Sequence, residues 1–295
     1  MQGLDERTRD LIQRRVLKRV NDIPSLPQFV IETLKKLDDP KSSAADVANK
    51  LSRDEGLVIR VLRLANSAYY GLSRRISSVS EAISFLGFKT VKSIVLAASV
   101  YKFMDSSFTG YALDRGDLWK HSQSVASTAR FLATHVKGVD PEEAYIAGMV
   151  HDIGKIVLND YVRFGYSIII RLVEEEQLPF TDAEKQVLGF DHAQVGGLVI
   201  EQWNLPEIYM YTTSNHHSPA ALPEDMQEYR LVVDVVHVAN AICSMLGAGI
   251  GADGLQYSLS EESLARIGVT NLEETMSSVV DLLAQIEEED YSEPA

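Results

Sequence analysis

The densest group of reactive side chains is His151-Asp152-Ile153-Gly154-Lys155, which combines an imidazole, a carboxylate and an ammonium group. An imidazole nitrogen and a carboxylate that are adjacent at a helix end can turn toward one cation. The glycine two residues later lets the backbone bend away without a Cβ clash. A lysine at this position supplies a compact positive charge that suits a bound phosphate. The segment therefore predicts a metal-binding element beside a phosphate-binding lysine.

More candidate ligands lie in the same half of the chain, where six of the seven histidines fall between positions 121 and 217. Asp117 and His121 are four residues apart, so they share one face of a helix and can chelate together. Helical bundles build di-metal sites from His and Asp side chains of several helices, and we expect one or two ions of iron, manganese or zinc. Such ions would activate water for phosphoester hydrolysis. The remaining candidate ligands are His192, the adjacent His216 and His217, and Asn240.

Each candidate also has a purely structural interpretation. His151-Asp152 could be a buried polar pair that caps helices, and His121 and His192 could be hydrogen-bonded core histidines. His216-His217 could lie on the surface, and Asp117 suits a helix N-cap. The joint pattern, rather than any one residue, favours metal ligation.

Glu184 lies upstream of His192 and has two interpretations. It belongs to the same polar cluster, or it is a solvated residue in a helix that begins at Thr181, whose hydroxyl forms a capping box with it. His135 and His237 have no neighbouring candidates and are interpreted as ordinary helix residues.

The apolar spacing that must position these residues is helical nearly everywhere and predicts an all-α, two-lobed helical bundle. A segment without periodicity, 108–116, is interpreted as a connector. We expect an N-terminal helical lobe over 1–110, a second lobe over 111–246 that carries the candidate site, and C-terminal helices with a loop and an acidic tail over 247–295. The predicted helices of the second lobe are 117–134, 141–151, 162–176, 181–188, 192–203 and 229–246, and 261–288 follows in the C-terminal segment.

The net charge, the cysteine count and the apolar runs exclude several classes of function. The net charge is −14, which argues against broad nucleic-acid binding and against docking on anionic membranes. A single cysteine, Cys243, cannot form an intramolecular disulfide, which fits a reducing cytoplasm. The first twenty residues lack an apolar core typical of a signal peptide, and no apolar run approaches the about 20 residues that span a bilayer. We therefore expect a soluble cytoplasmic protein.

The polar cluster resembles the HD superfamily of metal-dependent phosphohydrolases, especially its HD-GYP branch of cyclic di-GMP phosphodiesterases with two or three metals. Asp117 stands where that branch has a glutamate ligand, and His121 matches its first histidine. His151 and Asp152 match the defining pair. The resemblance implies that Asp152 bridges the metals and that Lys155 faces the phosphate.

The second half of the pattern matches with departures. His192, followed by three residues and a glycine, matches the next histidine ligand, and His216 and His217 match the paired histidines. Asn240 replaces the final aspartate ligand, and Ser218 stands where glutamate is usual. No Gly-Tyr-Pro substrate-loop signature follows. An amide oxygen is a weaker ligand than a carboxylate, so we expect one metal to be held less tightly or lost.

The first lobe resembles HDOD domains, the regulatory branch of the same superfamily. The residues that carry this resemblance are Ile23–Pro27, Asp54–Leu57, Leu62–Gly71, Ser80–Ile83 and Leu86-Gly87. It covers about residues 20 to 220. The resemblance implies a bacterial signalling module without demonstrated catalysis. Many such modules have lost their metal ligands, whereas this chain keeps most of them.

Three hypotheses follow. The first is a regulatory HDOD module that binds one or two metal ions and acts through signalling proteins, in response to a nucleotide or metal. The second is a metal-dependent phosphohydrolase that acts on a nucleotide or cyclic dinucleotide, with Asp152 and Lys155 as catalytic residues. The third is a structural scaffold in which the polar cluster holds helices together. Unpaired buried polar groups would cost the scaffold about 1–3 kcal/mol each.

Overall fold

The structure is a computed structural model that describes residues 6–249, 251–252 and 259–292. Over this part of the chain it is all-α, with fourteen α-helices and no strand. The helices are α1 Glu6–Asp22, α2 Gln28–Asp38, α3 Ala44–Leu51, α4 Glu55–Ala65, α5 Val79–Met104, α6 Asp117–Ala133, α7 Pro141–Val150, α8 Lys155–Glu175, α9 Phe180–Leu188, α10 His192–Gln202, α11 Glu207–Asn215, α12 Arg230–Met245, α13 Glu261–Arg266 and α14 Leu272–Ser292.

The chain divides into two compact units, each assembled from separate stretches of sequence. The site unit comprises Met1–Ser25 and Phe103–Thr270, and the companion unit comprises Leu26–Lys102 and Asn271–Ala295. The predicted segments 1–110, 111–246 and 247–295 are contiguous, whereas both observed units combine a terminal stretch with a central one. In the site unit, α1 packs on α8, α9 and α10.

Helices α6 and α7 pack closely against each other in the site unit. A Cβ atom on Gly148 of α7 would lie 2.8 Å from the Ala126 Cα of α6, so only glycine allows this approach. Helix α12 packs against both α6 and α7. Three helices that carry candidate ligands, or end next to them, are thereby brought together around one core.

Side-chain caps start two helices of the companion unit. Ser43 and Asp46 form a capping box at α3, and the Asp54 side chain accepts a hydrogen bond from the Leu57 backbone N–H at 2.8 Å. Asn66 closes the end of α4, because its amide group bonds both the N–H and the carbonyl of Ile76.

Helix α5 bends at Gly87, whose φ of 82° and ψ of 166° lie outside the helical region. Among the described residues, α5 alone is long and apolar enough to cross a membrane, with a mean hydropathy of 1.5 over its most apolar window. Because 56% of that window is buried, α5 has the character of a core helix.

Three expected elements differ from the structure. Helix α11 was not predicted, because its Tyr and Thr residues blur the helical period. Helix α8 begins at Lys155 rather than at 162. The helix expected over 261–288 is two helices, since Gly268 adopts a φ of 76° between them. Ile250, Asp253 and Gly254 of the glycine-rich loop predicted over 247–254 lie outside the described residues.

Candidate metal centre

The site unit brings the predicted ligands together from separate helices. His121 lies near the start of α6, His151 and Asp152 follow α7, and Lys155 begins α8. His192 is the first residue of α10. The remaining residues are His216 and His217, which follow α11, and Asn240 in α12.

Asp152 is the centre of this cluster, and its side chain is 1% exposed. The two carboxylate oxygens face different histidines. Asp152 Oδ2 lies 3.3 Å from His151 Nε2 and 3.7 Å from His121 Nε2. Asp152 Oδ1 lies 3.4 Å from His192 Nε2 and 3.6 Å from His216 Nε2. One carboxylate therefore lies between two groups of histidines.

Three histidine rings are held with Nε2 toward Asp152, because their Nδ1 atoms have acceptors on the other side. His121 Nδ1 donates to the Ala248 carbonyl at 2.8 Å, and His151 Nδ1 donates to the Gly148 carbonyl at 2.6 Å. His216 Nδ1 donates to the Thr213 carbonyl at 2.7 Å. Such outer hydrogen bonds fix the tautomer that presents a lone pair at Nε2, as in metal-binding histidines.

Three of the atoms that point inward have no hydrogen-bond partner. They are His151 Nε2, Asp152 Oδ1 and His216 Nε2, and all three are buried. Buried polar atoms normally have a partner, because leaving one unpaired costs about 1–3 kcal/mol. Lone pairs that converge on one small space fit a cation.

The donor types also fit a metal. Two groups of side chains place their ligand atoms within 4.8 Å of one another: Asp152 with His192, His216 and His217, and Asp152 with His121 and His151. Imidazole and carboxylate together suit iron, manganese and zinc. Ligand atoms about 2.1 Å from one ion lie about 3–3.5 Å apart, close to the spacing of these nitrogens and oxygens.

His192 differs from the other rings because its Nδ1 atom donates to a carboxylate. Glu184 Oε2 lies 2.7 Å from this Nδ1 atom, and Glu184 Oε1 accepts a hydrogen bond from the Tyr111 hydroxyl at 2.6 Å. Glu184 and Tyr111 are fully buried. The interpretation of Glu184 as a solvated residue in a helix from Thr181 is therefore wrong; α9 begins at Phe180, and its N-cap is Pro179.

These contacts shift the pKa values of the cluster in opposite directions. Burial lowers the pKa of His192, but the carboxylates of Glu184 and Asp152 outweigh burial and raise it to about 10. Burial and neighbouring imidazoles hold the pKa values of His216 and His217 well below the ordinary range. Burial would raise the pKa of Asp152, but His151 and Lys155 hold it well below its usual value. Without metal, the cluster thus keeps a proton on His192, beside an ionised Asp152.

Two predicted ligands have other contacts. The Asp117 carboxylate is the acceptor for the Asp114 backbone N–H at 2.8 Å, and Asp117 belongs to neither ligand group. Asn240 Oδ1 lies 3.0 Å from His121 Nε2. Because His121 Nδ1 already donates to a carbonyl, a neutral ring accepts at Nε2, and a half-turn of the Asn240 amide supplies its NH₂ group as the donor.

Three contributors to the site were not predicted from the sequence. Tyr111 lies in the segment interpreted as a connector, and Ala248 lies in the glycine-rich loop. His237 is buried; its Nδ1 atom donates to the His216 carbonyl at 2.7 Å, and its Nε2 atom accepts from the Ser260 N–H at 3.0 Å. The only signal for the role of His237 was a histidine inside an apolar helix, which is also typical of a core residue.

Gly154 is required for packing rather than for a bend. Its φ of −65° and ψ of −22° are ordinary helical values, so the expected backbone bend is wrong. A Cβ atom on Gly154 would lie 1.9 Å from the His192 carbonyl oxygen and 2.6 Å from the Gly196 N atom. The start of α8 therefore contacts the start of α10 directly, which places Asp152 beside His192.

The chain is similar in sequence and fold to several known proteins. A model of the HDOD domain family matches residues 23–219. The crystal structure of an HDOD domain protein with unknown function from Geobacter sulfurreducens is 28% identical, covers 96% of this chain and 99% of its own, and superposes with a TM-score of 0.74.

Two further relatives extend the comparison. A candidate phosphohydrolase from Shewanella amazonensis SB2B is 25% identical, with a TM-score of 0.71 over 92% of this chain and 94% of its own. An uncharacterized protein of Treponema pallidum (strain Nichols) is 26% identical over 76% of this chain. The chain spans 43% of the length of that Treponema protein.

Proposed function

The chain belongs to the HDOD family, and from this premise we propose that it is a regulatory module of bacterial signal transduction whose site unit binds a divalent metal ion. In this proposal the module works in the cytoplasm and presents a surface to a signalling protein. The metal centre, alone or with a nucleotide, sets the state of that surface. Nucleic acids and membranes are not its partners, in keeping with a net charge of −14.

The observation that carries the proposal is the burial of the ligands. His151, His192 and His216 are 0% exposed and Asp152 is 1% exposed, while His217 is half-buried. A metal that turns over a phosphodiester needs a coordination position that the substrate can reach. A ligand set enclosed to this degree favours an ion that ties helices together.

The residues around the centre suit this role. The ligands follow or begin α7, α10 and α11, so an ion between them would join three helix ends. When bound, the ion supplies Lewis-acid chemistry and a strong positive charge. Glu184 holds the His192 ring, the Thr213 carbonyl holds the His216 ring, and Asp152 carries the negative charge that attracts the cation.

A specific contact supports the second candidate function, a metal-dependent phosphohydrolase acting on a nucleotide or cyclic dinucleotide. Lys155 Nζ lies 2.6 Å from Asp152 Oδ2, next to the histidine groups. In such an enzyme Asp152 would hold the attacking water, and Lys155 would stabilise charge on the phosphoryl oxygens. The neutral Asn240 and the enclosure of the ligands argue against efficient turnover.

Two measurements on the same preparation separate these functions. The first follows the melting temperature with added Mn²⁺ or Fe²⁺, and the second follows hydrolysis of cyclic di-GMP and of a chromogenic phosphodiester. The regulatory proposal expects a rise in melting temperature that Asp152→Ala removes, with no turnover. Brisk hydrolysis by the unmodified protein, lost in Asp152→Ala, would replace the regulatory proposal with the enzymatic one.

A third measurement addresses the partner. Proteins cross-linked to the chain in its native cells are compared between the unmodified chain and His216→Ala. A regulatory module predicts a signalling protein whose cross-linking depends on the intact centre. An identical cross-linking pattern for both chains would contradict regulation through the metal.

A further inference from the structure

The two oxygens of Asp152 have different electrostatic partners. Asp152 Oδ2 accepts a hydrogen bond from Lys155 Nζ at 2.6 Å, and both side chains are almost completely buried. Asp152 Oδ1 has no hydrogen-bond partner. A lysine ammonium is therefore already present at one oxygen, whereas the other oxygen faces the imidazole nitrogens of His192 and His216, and an imidazole can release its proton to become a metal ligand.

One of the two histidines beside Asp152 Oδ2 also has a hydrogen-bond partner already. His121 Nε2 lies 3.0 Å from the Asn240 amide, which leaves His151 Nε2 as the unpaired atom of this half. Asp152 and Lys155 cancel in formal charge, and Asn240 is neutral. A divalent ion placed here would meet the Lys155 ammonium on the same carboxylate oxygen, and like charges in a buried site repel strongly.

The half formed by Asp152 Oδ1, His192, His216 and His217 differs from the half at Asp152 Oδ2. His192 Nε2 and His217 Nε2 are 2.9 Å apart, and no ammonium group contacts Asp152 Oδ1 among the described residues. Glu184 adds a second negative charge directly behind His192. This half therefore offers four ligand side chains, one of them backed by a buried carboxylate, and this donor set suits a divalent cation.

We infer that this chain binds one divalent ion, held by Asp152 Oδ1, His192, His216 and His217, and that Lys155 and Asn240 close the half formed by Asp152 Oδ2, His121 and His151. The inference rests on the proposed metal centre and makes it more specific. Lys155 takes the place of a second cation, and the Asn240 amide occupies the His121 lone pair.

The test is a titration of the full chain with Mn²⁺, followed by electron paramagnetic resonance and by metal content after desalting. One equivalent with the six-line signal of an isolated Mn²⁺ is expected. His217→Ala should weaken binding by about tenfold or more, since even loss of an outer hydrogen bond costs about 10–100-fold in affinity. The matched variant His121→Ala should change affinity by less than about threefold, since His121 is outside the proposed ligand set.

A further variant should gain a second metal site, whereas His217→Ala should lose affinity for the first. Lys155→Met combined with Asn240→Asp removes the ammonium and restores a carboxylate, and it should bind two equivalents with the coupled signal of a bridged Mn²⁺ pair. Melting curves of every variant show whether it is folded, and His217→Gln replaces His217→Ala if the latter is not.

The outcomes distinguish the inference from the proposed function. Two equivalents in the unmodified chain, or binding that requires His121 but not His217, would overturn the single-ion assignment and leave the metal centre standing. No binding at millimolar Mn²⁺, Fe²⁺ or Zn²⁺ would overturn the metal centre itself, and the inference with it.

Discussion

Glu184 Oε2 accepts two hydrogen bonds from His192, at 2.7 Å from the ring Nδ1 atom and 3.1 Å from the backbone N atom. The same carboxylate is held at its other oxygen by the Tyr111 hydroxyl. One buried acidic residue thus fixes the position, the tautomer and the basicity of the first residue of α10. The chain Tyr111–Glu184–His192 thus supports this candidate ligand through two fully buried side chains.

Removing the charge of Glu184 should weaken the centre without disturbing its shape. Glu184→Gln retains an acceptor for His192 but lowers the basicity of the ring, and the affinity for Mn²⁺ should fall by about 10–100-fold. A metal titration of the purified variant measures this. Glu201→Gln, an exposed substitution on α10, is the matched control. Equal affinities of the two variants would show that Glu184 has no influence on the metal.

The contact of Gly154 with α10 predicts a coupled loss of stability and metal binding. In Gly154→Ala the new methyl group would overlap the His192 carbonyl oxygen, so α8 and α10 must separate. Overpacking of this kind costs about 1–3 kcal/mol or more. Urea unfolding should show this loss of stability, and the Mn²⁺ affinity should fall in parallel. A variant as stable as the unmodified chain would contradict the close packing.

Some residues of this site could be predicted from the sequence and others could not. The difference is whether a local motif or a distant contact positions the residue. His151, Asp152 and His192 could be recognised, because they lie in short motifs at helix ends. Tyr111 could not, because a non-periodic segment carries it to Glu184, which is 73 residues away along the chain. No local pattern encodes a contact at that separation.

The fold likewise has features that the local sequence predicts and features that depend on tertiary packing. All-α character and most helices follow from apolar periodicity, and the break at Gly87 follows from the residue type. Helix α11 was missed, although His216 and His217 follow it directly, because packing on α10 and α12 rather than helix propensity stabilises it. The grouping of α1 with residues 103–270 is also a tertiary effect, since the sequence of α1 does not specify which surface covers its apolar face.

An ion pair anchors α13 to α12 and should contribute measurably to stability. Asp234 is fully buried, and its carboxylate accepts hydrogen bonds from Arg266 Nε at 2.7 Å and from Ser263 Oγ at 2.7 Å. Arg266→Met leaves this charge without its main partner, which should lower the free energy of unfolding by about 2–4 kcal/mol.

A double-mutant cycle checks this interaction. Asp234→Leu combined with Arg266→Met removes both charges and should cost less than the sum of the two single substitutions. Urea unfolding measures all four proteins. Strictly additive effects would show that Asp234 and Arg266 do not interact.

The single cysteine should be unreactive while the protein is folded. Burial raises the pKa of Cys243 to about 12, and its sulfur lies 3.4 Å from Thr128 Oγ1. Since the thiolate is the nucleophile, iodoacetamide at pH 8 should modify Cys243 only at the rate of unfolding. The same reagent should modify it rapidly in urea.

The raised pKa of Cys243 also predicts how the stability of the protein changes with pH. The unfolded thiol ionises near pH 8.5, about where free cysteine does, while the folded thiol stays neutral. The contribution of Cys243 to stability is therefore complete below that pH and decreases as the pH rises toward 12. Between pH 7.5 and 10, Cys243→Ala should lose less stability than the unmodified chain. A parallel pH dependence of the two proteins would contradict burial of the thiol.

The most direct measurement of the central claim is the metal content of the full chain, purified without chelators or a histidine tag and analysed by elemental mass spectrometry beside Asp152→Ala. The structure predicts about one equivalent of iron, manganese or zinc in the unmodified protein, since imidazole and carboxylate donors suit these metals. The Asp152→Ala variant should lack the metal. Equal metal content in both proteins, or none in either after reconstitution, would contradict a metal centre at Asp152.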